Sequence, residues 1–155
     1  DTLYTAFDYP SDGAVGHKKQ LIFEMRIWSP YKQEGYDNGC AFYGTNGMLL
    51  LGKNGGYKLF GPGSKLLEEA DGKVDTQAHR RNFIDCILNG NKPNADILTG
   101  HLSATLCHLA NIAARTGRTL QFDPAKEEIV GDAEAAALVG RTYREGHWAV
   151  PKLSS

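Results

Sequence analysis

The sequence predicts an α+β fold, an open, mainly antiparallel sheet with helices packed on one face. Three observations support this prediction. Alternating apolar residues recur up to Phe60, glycine- and asparagine-rich turn signals separate them, and two segments with helical spacing follow Asp75. Strands that come before helices, instead of alternating with them, are typical of antiparallel sheets whose helices are grouped on one side.

The size and composition of the chain limit the class of protein to which it can belong. It has 155 residues, of which 41% are apolar and 23% charged, so we expect one globular domain over 1-155. A net charge of -1 disfavours nucleic acid as a partner. No apolar stretch approaches the roughly 20 residues that cross a bilayer, so no membrane partner is expected. Three widely spaced cysteines favour reduced thiols, and we expect Cys86 and Cys107 to be buried.

The start of the chain leads to a further expectation. Residue 1 is Asp, and a strand-like pattern begins almost at once. We therefore expect the chain to have been cut from a longer protein or processed. The cytoplasm is the expected compartment, with the periplasm as the alternative if a signal segment preceded residue 1.

The longest predicted strand covers residues 20–28. Its polar residues Glu24 and Arg26 lie two apart, which fits the period of a strand. Alternation predicts a core face, which consists of Leu21, Phe23, Met25 and Ile27. The opposite face is mixed in character and consists of Ile22, Glu24, Arg26 and Trp28. The mixed face suits a ligand or a second subunit, or it is the solvated side of an open sheet.

Other strands surround this one. Residues 2–9 predict a first strand that forms a hairpin with it, and residues 31–39 predict a loop of the kind that carries function. Three short strands are predicted at 40–43, 48–51 and 57–60. Because the middle of this meander is apolar throughout, we expect it to be buried on both faces or to pack against another subunit. Residues 65–74 predict a charged linker.

The second half predicts helices. Asp75 or Thr76 can cap a first helix that ends at Asn89-Gly90, and a longer helix is predicted from 97 to 114, before Gly117. A strand at 119–122 and a short helix from Asp132 to Val139 follow. The tail, 141–155, carries Tyr143 and Trp148 as predicted anchors.

Short motifs do not single out a catalytic or metal site. The segment from Gly47 to Lys53 has the glycine and lysine spacing of a phosphate-binding loop, but Asn54 stands where Ser or Thr should meet Mg²⁺. His101 and His108 are seven residues apart, about 10 Å along a helix, which is too far for one metal ion. We predict no metal site and assign no catalytic residue.

Several longer motifs, taken in order, carry a family resemblance. They are Phe23-Glu-x-Arg26-x-Trp28, Glu34-Gly-x-Asp-Asn-Gly39-x-Ala-Phe-Tyr-Gly-Thr-x-Gly47, His79-x-x-Asn-Phe-x-Asp-Cys86, Pro93-Asn-Ala-Asp96, Gly100-His-x-Ser-Ala-Thr-Leu-Cys-His108 and Asp123-Pro-x-x-Glu127. Together they resemble the C-terminal domain of the glucose-fructose oxidoreductase / inositol dehydrogenase family (Gfo/Idh/MocA). The resemblance covers Thr2 to about Trp148.

The resemblance implies an NAD(P)-dependent oxidoreductase that acts on sugars or other polyols. It implies an open sheet of the dihydrodipicolinate-reductase-like type, which supplies the substrate pocket and subunit contacts. The family's glycine-rich nucleotide loop, its Glu-Lys-Pro segment and its Asp/His motif have no counterpart in this sequence, so we expect them on an N-terminal Rossmann domain upstream of Asp1. NAD or NADP is then the coenzyme of the full-length protein, and none is expected in this chain alone.

Five residues are our candidates for the far wall of the substrate pocket: Arg26, Trp28, Tyr36, Asn38 and His79. The expected partners are a carbohydrate or polyol substrate, the Rossmann domain, and further copies of the chain bound through the sheet face. Two alternatives stay open. The domain could be purely a dimerisation module, or part of a redox-neutral glycosidase that uses tightly held NAD transiently.

Overall fold

The computed structural model describes residues 1–141, which form two compact units. The N-terminal unit is Asp1–Asn94, and the C-terminal unit begins at Ala95. Within the described residues there are three α-helices, one short 3-10 helix at Pro62–Ser64 and only antiparallel strand pairs, so the predicted α+β class is confirmed. The single-domain boundary stays a prediction. The predicted anchors Tyr143 and Trp148 lie outside the described residues.

The first two strands form the predicted hairpin. Strand β1 (Thr2–Asp8) pairs with β2 (Gln20–Arg26), with Thr2 opposite Arg26 and Asp8 opposite Gln20. The strand predicted over 20–28 is two residues too long. It ends at Arg26 because the chain turns there, with the backbone N–H of Ser29 donating to the carbonyl of Arg26 at 3.3 Å.

The predicted core face of β2 is only partly covered. Leu21, Phe23 and Met25 of β2 remain exposed. They share a face with residues of β1 that are half-buried, namely Leu3, Thr5 and Phe7. A two-stranded ribbon can shield its side chains only with their cross-strand neighbours, which is too little to bury a whole face.

A four-stranded antiparallel meander follows in the N-terminal unit. Its strands are β3 (Gly39–Gly44), β4 (Gly47–Gly52), β5 (Tyr57–Phe60) and β6 (Leu66–Ala70), paired in that order. Strand β6 corrects the predicted linker at 65–74. Polar and apolar residues do not alternate in β6, but β5 pairs with it, and Glu69 lies opposite Lys58. The Tyr57 hydroxyl donates a hydrogen bond to Glu68, and this bond raises the pKa of Tyr57.

Burial in the meander differs between its two faces. Leu50 of β4 is only 3% exposed, whereas Phe42 of β3 is 56% exposed. The register places Phe42, Leu49 and Leu59 side by side on one face, which we call the Phe42 face, and Leu50 on the other. Burial of the meander on both faces was therefore a wrong expectation, and packing against another subunit stays a prediction.

Helix α1 (Thr76–Asn89) completes the N-terminal unit with the predicted ends. The Asp75 carboxylate accepts the backbone N–H of Ala78 at 2.8 Å, and Gly90 closes the helix in the left-handed conformation, as predicted. Cys86 is buried as expected, but Cys107 is exposed, because the residues of helix α2 (Ile97–Thr116) that are buried are Ala110 and Ile112.

The C-terminal unit has a small apolar core. Helix α2, the ribbon of β7 (Gln121–Asp123) and β8 (Glu128–Val130), and helix α3 (Ala133–Ala137) surround it. Ile112, Ile129 and Ala135 are buried together, with Leu109, Leu120 and Phe122 packed against them. Gly117 ends α2 and Asp132 caps α3 as predicted, whereas β8 was missed.

The cap of α3 makes stability depend on pH. The Arg118 guanidinium, at 2.9 Å, and the backbone N–H of Ala135 both donate to Asp132 and lower the pKa of its carboxyl from the usual 3.8. A lowered pKa adds stability that is present above the unfolded-state value and is lost as the pH falls through the folded-state value.

We therefore expect Asp132→Asn, which keeps a capping side chain but removes its charge, to be less stable than the unmodified protein at about pH 7. The difference in stability between the two proteins should shrink as the pH falls below about 4, because the Asp132 carboxyl then becomes protonated and is uncharged, like the amide of the variant. Urea unfolding at several pH values measures it. A difference that stays constant down to about pH 2 would show that the charge of Asp132 contributes nothing.

Within residues 1–141, no helix combines the length and the apolar composition that a membrane crossing requires.

Candidate functional site

A small polar cleft lies in the N-terminal unit, at the end of the β3–β4 pair. Three segments line it: residues 36–38 before β3, Gly52 at the end of β4 with residues 53, 54 and 56 after it, and residues 71–72 after β6. Its volume is about 160 Å³. Antiparallel pairing brings these loops together, because Gly39 lies opposite Gly52 and Tyr57 lies opposite Ala70.

Tyr36 is the aromatic side chain of the cleft. Its backbone exchanges two hydrogen bonds with Gln33, each 2.9 Å long, which fixes a tight turn before β3. The half-buried ring lies against Gly52, where the Cβ of any other residue would overlap the ring carbons. Glycine at position 52 therefore permits the position of the ring.

Asn38 and Lys53 continue the β3–β4 pairing into the cleft. The backbone N–H of Lys53 donates to the carbonyl of Asn38 at 3.0 Å, just beyond the pair of Gly39 and Gly52. This bond holds the two loops in register, so Asn38 and Asn54 both line the cleft.

The cleft also contains an ion pair. Lys53 Nζ lies 3.2 Å from Asp37 Oδ2, and both side chains are largely exposed. The hydrogen bond and the charge of Lys53 lower the pKa of the Asp37 carboxyl. Because water and salt screen the pair, we assign it a role in orienting Asp37 and not in stability.

The structure brings together only Tyr36 and Asn38 of the five predicted pocket residues. Arg26 pairs with Glu24 at 2.9 Å, and the Trp28 indole N–H donates to Thr2 Oγ1 at 2.8 Å, both at one end of the β1–β2 hairpin. His79 is exposed in the first turn of α1. None of these three lines the cleft.

Comparison with known protein families identifies the chain. The family model described as "Oxidoreductase family, C-terminal alpha/beta domain" (GFO_IDH_MocA_C2) matches residues 44–150, which is more than half of the 155 residues. The chain belongs to the Gfo/Idh/MocA oxidoreductase family. No curated protein and no solved structure matches the chain significantly.

The Gfo/Idh/MocA match covers part of the cleft. Lys53, Asn54 and Asp71 lie inside residues 44–150, whereas Tyr36 and Asn38 precede that range. The resemblance noted from the motifs is thus confirmed for the family, and the assignment of the pocket residues stays a prediction.

Sequence reasoning missed Lys53, Asn54 and Asp71 as members of the cleft. Asn54 belonged to a turn signal, Asn54-Gly55-Gly56, and Asp71-Gly72 sat in the segment predicted as a linker. Gly72 packs so closely on Gly55 that a Cβ at position 72 would overlap its backbone. The two glycine-containing turns, at residues 54–56 and 71–72, could have indicated this side of the cleft from the sequence. That they lie against each other follows only from the pairing of β5 with β6.

The strand pairing of this Gfo/Idh/MocA domain differs from that of a Rossmann nucleotide fold. The Rossmann fold consists of parallel strands joined by helices, whereas every strand pair within residues 1–141 is antiparallel. In the same residues, no group of three or more His, Cys, Asp and Glu could hold a metal ion. The cleft offers amides, carboxylates, an ammonium and an aromatic ring, which are groups for binding and orienting a ligand.

Proposed function

We propose that the chain is the substrate-binding and oligomerisation domain of an NAD(P)-dependent dehydrogenase that acts on a sugar or polyol. The observation that carries this proposal is the match to the C-terminal domain of the oxidoreductase family over residues 44–150. The coenzyme and the general base belong to a Rossmann domain of the same protein. Hydride transfer needs nicotinamide, substrate carbon and base in one near-attack geometry.

The role of this chain is to hold the substrate in that geometry. The cleft supports this role, since Asn38 and Asn54 offer both donors and acceptors, as hydroxyl groups require. Arg26, Trp28 and His79 stay predicted contributors to the pocket. No catalytic residue is assigned to the chain.

Asn38→Ala in the full-length protein tests the pocket. We expect the KM for the polyol to rise about 3- to 10-fold with little change in kcat, because one hydrogen bond to a neutral hydroxyl contributes about 0.5–1.5 kcal/mol. Asn46→Ala, a matched change in the exposed β3–β4 turn outside the cleft, should leave KM unchanged. Steady-state kinetics and the molar mass in solution are measured for each variant.

An exposed apolar surface favours a second function, dimerisation alone. The Phe42 face presents Phe42, Leu49 and Leu59 in adjacent positions, and Phe42 is exposed. A second copy related by a two-fold axis could cover this face. If Phe42→Ala dissociates the oligomer and Asn38→Ala leaves KM unchanged, dimerisation is the better assignment and the pocket is wrong.

A further inference from the structure

Four asparagines of the chain are followed directly by glycine, namely Asn38, Asn46, Asn54 and Asn89. In an Asn-Gly pair the asparagine side chain can react with its own backbone. Because glycine has no Cβ, its amide nitrogen can approach the carbonyl carbon of the preceding side chain. The reaction needs a glycine N–H that is free of hydrogen bonds and an asparagine side chain that is free to turn towards it. The structure therefore determines which of the four pairs reacts first.

Two of the four glycine N–H groups are held by hydrogen bonds in turns. The N–H of Gly55 donates to the carbonyl of Gly52 at 3.0 Å. The N–H of Gly90 donates to the carbonyl of Cys86 at the end of α1, where the Asn89 side chain also donates to a helix carbonyl, at 2.8 Å. These bonds must open before the asparagine that precedes either glycine can react.

The register of β3 and β4 separates the other two pairs. In an antiparallel ladder, hydrogen-bonded positions alternate with positions that make no hydrogen bond to the neighbouring strand. The Lys53 N–H donates to the Asn38 carbonyl at 3.0 Å, which sets this alternation. Counting from there, Gly44 and Gly47 form a hydrogen-bonded pair at the turn, whereas Gly39 falls between two bonded pairs and its N–H points away from β4.

The pair of Asn38 and Gly39 therefore lacks the protection that the other three have. Strand β3 is at the edge of its four-stranded sheet, so within residues 1–141 no strand accepts the Gly39 N–H. Both residues are exposed, and in the same part of the chain the Asn38 side chain makes no hydrogen bond. Water reaches the side chain, the backbone nitrogen and the open cleft beside them.

We propose that Asn38 is a deamidation site, at which a neutral amide that lines the cleft is converted into a carboxylate. The backbone nitrogen of Gly39 attacks Cγ of Asn38. The N–Cγ bond forms, the Cγ–Nδ2 bond breaks, and ammonia leaves with the proton of the Gly39 N–H. Water then opens the cyclic imide. Cleavage of the new N–Cγ bond gives aspartate, and cleavage of the original peptide bond gives isoaspartate, whose Cβ and Cγ become part of the main chain.

The products change the cleft in its charge and in its backbone. Either product places a carboxylate next to Asp37, in a cleft that Asp71 also lines, and removes an amide that donates hydrogen bonds. Isoaspartate also lengthens the main chain just before β3 and displaces the carbonyl that accepts the Lys53 N–H. The deamidation itself does not depend on the proposed function, whereas the loss of substrate binding that we expect from it does.

Mass spectrometry of the full-length protein, aged in warm, mildly alkaline buffer and then digested, measures deamidation at each of the four asparagines. We expect Asn38 to convert about 2- to 10-fold faster than each of the others, the factor by which one hydrogen bond shifts an opening equilibrium. In urea, where these hydrogen bonds are absent, the four rates should converge. The inference is overturned if another of the four converts at least as fast in the folded protein, or if urea leaves the order of rates unchanged.

A second measurement separates the deamidation site from the proposed function. The KM for the polyol is followed during the same incubation, alongside Asn38→Gln, whose longer side chain does not readily close the same ring on Gly39. As residue 38 converts, we expect the KM of the protein with Asn38 to rise about 3- to 10-fold, while the KM of the variant stays at its own starting value. Conversion of Asn38 without a change in KM keeps the deamidation site and refutes the pocket. A stable Asn38, in a protein whose KM rises on Asn38→Ala, refutes the deamidation site and keeps the pocket.

Discussion

Replacing Ile112 by alanine should lower the free energy of unfolding by about 2–5 kcal/mol. Ile112 is only 6% exposed and lies in the core of the C-terminal unit with Ile129 and Ala135. The change removes buried apolar atoms and leaves a cavity among neighbours that are held by α2, α3 and β8. Denaturant unfolding, followed by circular dichroism, measures the loss.

Helix α2 offers a matched control for this prediction. Ile97 is the same residue type in the same helix but is 89% exposed. Ile97→Ala should change the free energy of unfolding by no more than about 0.5 kcal/mol. Equal losses for the two substitutions would mean that the core of the C-terminal unit is not where the structure places it.

Local signals were enough to predict most elements. The helix ends at Asp75, Gly90 and Gly117 follow from capping, which depends on a few neighbouring residues. The β1–β2 hairpin follows from alternation on both sides of a turn at Pro10. These features need no knowledge of distant parts of the chain.

The two missed strands share one physical cause, which is pairing between segments. Strand β6 has no alternation of its own and is a strand because β5 lies beside it, with Lys58 opposite Glu69. Strand β8 has only three residues. It pairs with β7, and its own residue Ile129 is buried in the core of the C-terminal unit. Burial was also unpredictable, because alternation shows which residues share a face but not what covers that face.

For the same reason, only part of the candidate site could be predicted from the sequence. The loop at 31–39 was expected to carry function, and it supplies Tyr36 and Asn38 to the cleft. Lys53 and Asp71 reach the same cleft only through the order of strands in the meander. Arg26 and Trp28 were grouped with Tyr36 and Asn38 by residue type. In the structure they bond to Glu24 and Thr2, and their assignment to the pocket stays a prediction.

The proposed division of labour between this chain and a Rossmann domain leads to the second large effect. The strand pairs of residues 1–141 are all antiparallel, so these residues do not form the parallel unit that holds a dinucleotide. We expect the isolated 155-residue chain to have no measurable affinity for NAD⁺ or NADP⁺ and no dehydrogenase activity. The full-length protein should have both.

The most direct test is to measure NADH or NADPH formation by the two proteins side by side, at equal concentration and with the same panel of polyols. We expect coenzyme reduction by the full-length protein with at least one polyol, and none by the isolated chain. Reduction by the isolated chain would contradict the proposed roles. Absence of reduction by the full-length protein with every polyol and both coenzymes would contradict the dehydrogenase assignment.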